Sequence, residues 1–312
     1  MDLFFAVLNQ ILIFLIIMIV GFISVKTKYL SESFLPAISS LFANIIVPFI
    51  VFTYNINGAT RSDVIDHLNL IAANALGFTV LIIISRITPK LLRLKGNRAS
   101  LFSFGTSFGN VGFVGIPLLF SVFGARVMIF VTMYSVVDQV LFWSYGNGLS
   151  YSTDNKQKFT LKTLANIIRP PFLAIVLAIV FIMLGITLPD TVNSAFTSIT
   201  NVGLALPFIY MGGVLATLKV KDITKYYEVY AAIAFKMIAV PICIFLIFRD
   251  VGFSRDISFT SAVLFGLPSP GLLPMLASAN GSDAEYATVL VLLTTLSSLF
   301  TLTLFSYITA FI

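Results

Sequence analysis

Of the thirteen acidic residues in this chain, only Asp138 falls near the middle of a long apolar run. Of the nineteen Lys and Arg, only Lys236 does. A charged side chain at the centre of a membrane helix costs about 2.5–3.5 kcal/mol on an insertion scale, so such groups face a cavity or one another. Asp138 is therefore a candidate for coupling to H+ or Na+, and Lys236 a candidate countercharge for an anionic substrate. The competing readings are a structural Asp138–Lys236 pair, or a Lys236 that snorkels its ammonium to an interface. A third polar group has a different setting. The stretch FGNVGFVGIP, 108–117, holds Asn110 among Gly109, Gly112, Gly115 and Pro117. Gly112 and Gly115 permit unwinding, and Pro117 cannot donate to the turn before it. A helix broken there ends in free carbonyls and restarts with free N–H groups, which carry opposite partial charges of about half a unit. An anion suits the restarting end and a cation the carbonyl end.

Pro268, Ser269, Pro270 and Gly271 can break a later span in the same way, with Ser269 as the nearest hydroxyl. Two broken helices crossing at mid-membrane would build one site. The alternative is that these glycines only allow helices to pack closely. Asn44 and Asn201 lie upstream of Pro48 and Pro207 and read first as interhelical glue. Other chemistries are poorly served. One histidine, His67, and one cysteine, Cys243, make neither a zinc site nor a disulfide. Cys243 reads as inert core and His67 as a solvated loop residue. GTSFG, 105–109, satisfies the nucleophile-elbow pattern, but that pattern needs a preceding strand and a soluble sheet. No enzyme, metal or organic cofactor is expected.

The elements that must position these residues are membrane helices. The chain is 58% hydrophobic and 10% charged, against about 45–50% and about 25% in soluble domains. Apolar runs able to cross about 30 Å of hydrocarbon fall at 3–23, 34–55, 68–87, 99–122, 127–149, 170–187, 192–217, 227–248, 257–279 and 286–310. The first reads as a retained span, not a cleaved leader. Fourteen Lys and Arg occupy one set of alternating loops, and only Arg61, Arg126, Arg249 and Arg255 the other. The positive-inside rule then places both termini outside. The net charge of +6 records this topology and not nucleic-acid binding.

FGNVGFVGIPLLFSVFG, 108–124, matches FGLPSPGLLPMLASANG, 265–281, at Phe-Gly, Pro and Gly with one offset of 157, and VPFI, 47–50, answers LPFI, 206–209. This predicts two five-span repeats, 1–149 and 170–312, joined by a cytoplasmic loop at 150–169. Because five is odd, the second repeat enters the membrane with opposite topology. The partners this implies are a small-molecule substrate and the lipid bilayer.

SFGNVGFVGIPLLFSVFG resembles the fourth-span signature of the auxin efflux carrier family of membrane transport proteins, of bacterial type. LPSPGLLPMLASANGSDAEYATVLVLLTTLSSLFTL resembles the family's ninth and tenth spans. The resemblance covers essentially the whole chain. It implies an all-α, ten-span fold of inverted repeats, similar to bile-acid and sodium/proton-antiporter relatives. Helices 4 and 9 would be broken and crossing, and a core domain would move like an elevator against a panel. It also implies that Asn110 binds a substrate carboxylate. The residue matching Asn110 in the second repeat is Leu267, so a two-Asn site is not expected. Only the fold resemblance suggests a homodimer. The resulting expectation is a plasma-membrane secondary transporter of a mono- or dicarboxylate. Its alternatives are a cation-driven exchanger of a neutral or cationic solute, and a transporter-fold sensor or channel.

Overall fold

The computed structural model of this chain describes residues 2–153, 167–217 and 226–311. Most of the connecting loop at 150–169 and the three lysines at 219, 221 and 225 lie outside them. The described residues form helices and no strands. In chain order these are α1 (Asp2–Lys26), α2 (Glu32–Gly58), α3 (Arg61–Asp66), α4 (Asn69–Leu91), α5 (Gly96–Ser107), α6 (111–123) and α7 (128–149). They continue with α8 (Pro170–Leu184), α9 (Asp190–Val202), α10 (Leu206–Thr217), α11 (Glu228–Asp250), α12 (Arg255–Phe265), α13 (Leu273–Ala279) and α14 (Ala284–Thr309).

Among the described residues, seven helical runs are long and apolar enough to cross a membrane by length and composition. With that composition the chain is a polytopic membrane protein. One of the runs, Gly96–Leu149, has 54 residues. That is far more than the about 20 a single crossing needs, and it contains the break between α5 and α6. The stretches expected at 192–217 and 257–279 are likewise each divided in two. The first divides at 203–205 and the second at 266–272.

Local chemistry sets many of the ends. Pro171 in the first turn suits α8 because its missing N–H has no partner there in any case. Gly185, with φ of 68°, ends that helix in the left-handed region, where a side chain would be strained. The short α3 was not expected. Thr60 and Asp63 close it with a reciprocal capping box.

Four helical segments contain widened, π-type turns, at Phe42–Ile46, Val111–Gly115, Phe142–Gly146 and Ile233–Ala239. Three of these precede a proline two residues on, at Pro48, Pro117 and Pro241. The absent proline N–H spoils the ordinary ladder there, and such turns concentrate at functional sites.

Two groups of helices result. α1 packs on α10, and α2 on α8 and α9. In the other group α4 packs on α5 and α7, α11 on α12 and α14, α5 on α14, and α12 on α7. The aromatic core of this second group lies around the two breaks. Phe78 packs on Phe108, Tyr134 and Phe265, and Phe104 on Phe108 and Phe142.

Candidate functional site

The first break runs from Phe108 to Asn110. Phe108 is extended, and Asn110 (φ −85°, ψ 64°) stands immediately before α6. The Asn110 carbonyl accepts from both Val114 N–H (3.0 Å) and Gly115 N–H (3.1 Å). The N–H groups of Val111, Gly112 and Phe113 have no carbonyl acceptor among the described residues, which makes this end of α6 electropositive. The second break passes directly across the first. Asn110 N–H donates to the Pro268 carbonyl at 2.9 Å. Ser269 Oγ donates to the Gly105 carbonyl at 3.0 Å, and Ser269 N–H donates to Thr294 Oγ1 at 3.1 Å.

The crossing is tight because glycines meet large side chains. A Cβ on Gly109 would lie 2.9 Å from Leu267 Cβ, and one on Gly115 would lie 2.7 Å from Leu267 Cδ1. Leu267, the counterpart of Asn110 by sequence offset, thus fills the space that these two glycines leave. Gly115 serves packing here, and Pro117 is buried beside it.

A cavity of about 330 Å³ opens on one side of the crossing. Of the residues singled out from sequence, it brings together Asn110, Gly112, Asp138, Pro270 and Gly271, with Asn44 at the rim. Gly115, Pro117, Pro268, Ser269 and Lys236 are not in its wall. The Asn110 side chain is 4% exposed. Its amide has no hydrogen-bond partner among the described residues and meets the open Cα of Gly271, where an added Cβ would sit 3.3 Å from Nδ2. Asp138 is 2% exposed, and its Oδ1 has no hydrogen-bond partner. Its Oδ2 accepts from Gln139 Nε2 at 3.4 Å.

Lys236 points elsewhere. Its Nζ donates to the carbonyls of Gly105, at 2.9 Å, and Phe108. No ion pair joins it to Asp138 among the described residues.

Three cavity residues escaped the sequence reading. Gln139 accepts from Trp143 Nε1 at 3.1 Å, and the Arg169 guanidinium lies 4.6 Å from the centroid of the Trp143 ring. Arg169, read from sequence only as a loop charge, is the cation in the cavity wall. The spacing of Gln139 and Trp143, one helical turn apart, was the available signal.

Other expectations change. Asn44 is tied to Ser40, with Nδ2 donating to its carbonyl at 3.0 Å, so its amide is partly spent as glue. Asn201 is exposed outside the cavity wall. Cys243, expected in the core, is exposed: α11 is apolar on its outer face too, as a membrane helix is. His67 is half-buried, with Nδ1 2.7 Å from the Asp63 carbonyl and the ring edge-on to Phe130. No group of three or more His, Cys, Asp or Glu able to hold a metal ion occurs among the described residues.

Comparison with known proteins agrees with this setting. A family described as membrane transport protein matches residues 6–306. An uncharacterized transporter of Methanothermobacter thermautotrophicus, strain Delta H, is 22% identical over 300 residues, covering 94% of this chain and 95% of that protein.

Proposed function

Because this chain belongs to the membrane transport protein family, the family its FGNVGFVGIP stretch resembles, we propose that it is a secondary active transporter of a small organic anion, a mono- or dicarboxylate. One observation carries the reading. An unpartnered Asn110 amide and the electropositive start of α6 face the same membrane-embedded cavity. An amide donor and helix N–H groups recognise a carboxylate, Gly271 gives it room, and Arg169 on Trp143 adds positive charge at the exposed rim. The substrate-binding set expected from sequence narrows to Asn110, Gly112, Pro270 and Gly271. Lys236 acts from behind the break. Asp138 is the coupling residue for H+ or Na+.

The architecture we propose has ten spans in two inverted repeats, 1–149 and 170–312, joined by the loop at 150–169. The broken spans are α5–α6 and α12–α13. Packing supports it, since four relations recur one repeat later. α1 on α10 answers α8 on α2, α4 on α5 answers α11 on α12, α4 on α7 answers α11 on α14, and α5 on α14 answers α12 on α7. The segregation into two helix groups supports an elevator-type movement of the group holding the crossing. We place it in the plasma membrane; the loop charges support both termini outside, and only the fold resemblance supports a homodimer.

A second reading, a cation-driven exchanger of a neutral or cationic solute, is favoured by one observation: the unpartnered Asp138 Oδ1 lies in the same cavity wall. Uptake of labelled carboxylates into proteoliposomes separates the two. Asn110→Ala is expected to abolish carboxylate uptake; normal uptake by that variant sinks the anion site. Carboxylate uptake that is absent from wild type, with cation flux lost in Asp138→Asn, establishes the second reading. Stoichiometric counterflow separates either carrier from a channel.

A further inference from the structure

Lys236 is 1% exposed, yet it is not in the wall of the cavity at the crossing and pairs with no carboxylate among the described residues. An ammonium so placed is costly unless matched, and its matching groups are main-chain oxygens. Nζ donates to the Gly105 carbonyl at 2.9 Å and to the Phe108 carbonyl. These oxygens belong to the C-terminal end of α5 and to the break just beyond it, the end that carries negative partial charge. The Ser269 hydroxyl meets the same Gly105 oxygen at 3.0 Å. Two carbonyl oxygens and a hydroxyl oxygen at a broken helix end are the ligand type that hard monovalent cations take.

The sequence aims the lysine there by a specific device. Lys236 lies in the widened turn Ile233–Ala239, just before Pro241. Among the described residues the end of α12 has no such group. At the end of α12 the Leu264 carbonyl accepts from the neutral Tyr134 hydroxyl at 3.3 Å.

We propose that Lys236 is a tethered cation. Its ammonium occupies the seat that the carbonyl end of α5 would otherwise offer to an alkali ion, and it holds Phe108–Asn110 in place. It is a positioning residue for Asn110, not a ligand of the transported solute. The α5 end is closed to coupling ions, and any coupling cation binds elsewhere. This inference stands on the Lys236 contacts and does not need the substrate to be an anion.

The test is thermal unfolding of the purified full chain as wild type, Lys236→Ala, Lys236→Met and Lys236→Arg. Each is measured in sodium, potassium, N-methylglucamine and ethylammonium chloride at equal ionic strength. Comparing each variant with wild type in the same salt cancels effects common to both. Lys236→Ala is expected to melt below wild type in N-methylglucamine and to recover at least about 2 °C in ethylammonium or an alkali salt. A deficit equal in all four salts, or none, overturns the proposal. If the alanine variant does not fold, the other two decide. Arg keeps the charge and is expected to stay near wild type, whereas Met keeps the stem without the charge and is expected to fall. Equal behaviour of Arg and Met overturns the proposal. Loss of carboxylate uptake in Asn110→Ala but unchanged melting in Lys236→Met would leave the transport reading standing and this inference refuted.

Discussion

Gly271→Ala tests the site without disturbing the fold. The backbone of Gly271 is not in the left-handed region, since the positive-φ glycines among the described residues lie elsewhere. An added Cβ would stand 3.3 Å from Asn110 Nδ2, 3.7 Å from Oδ1 and 3.8 Å from Cγ, with nothing nearer. That contact is tight by a few tenths of an ångström, and the amide has cavity to move into. Stability should therefore hold, or rise by the about 0.4–1 kcal/mol typical of Gly→Ala at a compatible backbone. Binding should not hold. The methyl covers the donor face of Asn110 and removes one hydrogen bond to a charged group, worth about 1.5–3 kcal/mol. That corresponds to an affinity loss of about 10- to 150-fold. The assay is concentration-dependent uptake into proteoliposomes, paired with thermal unfolding of the same preparation. A variant that folds like wild type and keeps its apparent KM refutes the claim that the Asn110–Gly271 face contacts substrate. A variant that loses stability refutes the steric reasoning.

Three further outcomes follow from other parts of the molecule. Gly212→Ala places a Cβ 1.9 Å from the Met18 carbonyl oxygen, so it should destabilise by at least about 1–3 kcal/mol, read as lower yield of folded protein and earlier melting. Arg98→Ala strands Glu228, which is fully buried and bonded to Arg98 at 2.5 Å. A broken buried pair costs about 3–5 kcal/mol, and the part-exposed Arg98 puts the expected loss near the lower bound, with Glu228→Gln milder in the same melting assay. The Thr60 hydroxyl, and then its N–H, hold the Asp63 carboxyl below its usual pKa. A depressed folded-state pKa gives stability that is present at neutral pH and lost as pH falls through that value. Melting of wild type should thus decline on acidification more than that of Asp63→Asn, and identical profiles would refute the contribution.

The two breaks were legible because glycine and proline punctuate helices locally, and residues 108–110 and 266–272 hold five of them. The tie from Asn110 N–H to the Pro268 carbonyl was not, because it joins segments far apart in the chain. Lys236 shows the limit most clearly. Its charge and depth were readable, but its acceptors lie 131 and 128 residues away, and only packing decides which helix end it meets. Arg169 was visible as a charge and assigned to topology; no local pattern shows a loop arginine turning back over Trp143. The widened turns leave a faint trace, a proline two residues later, that also precedes ordinary helices. The α3 capping box is fully written in Thr60 and Asp63, but the six-residue RSDVID helix it starts carries no apolar run to mark it.

The contact of α1 with α10 has a mechanical consequence. A Cβ on Gly21 would fall 2.1 Å from the Ile209 carbonyl oxygen, and one on Gly212 1.9 Å from that of Met18. At these glycines the two main chains touch with no side chain between them, so the seam has no slack there, although Phe14 stacks on Phe208 elsewhere along it. Where α2 and α10 meet α6 the surface is different: the rings of Phe42 and Tyr210 each pack at a tilt on Phe113, and Val47 lies over Gly112. Rings and methyl groups can slide past one another by exchanging rotamers, whereas interlocked backbones cannot. Of these two surfaces only the aromatic one can slide, so α1 and α10 would move together as a single strut.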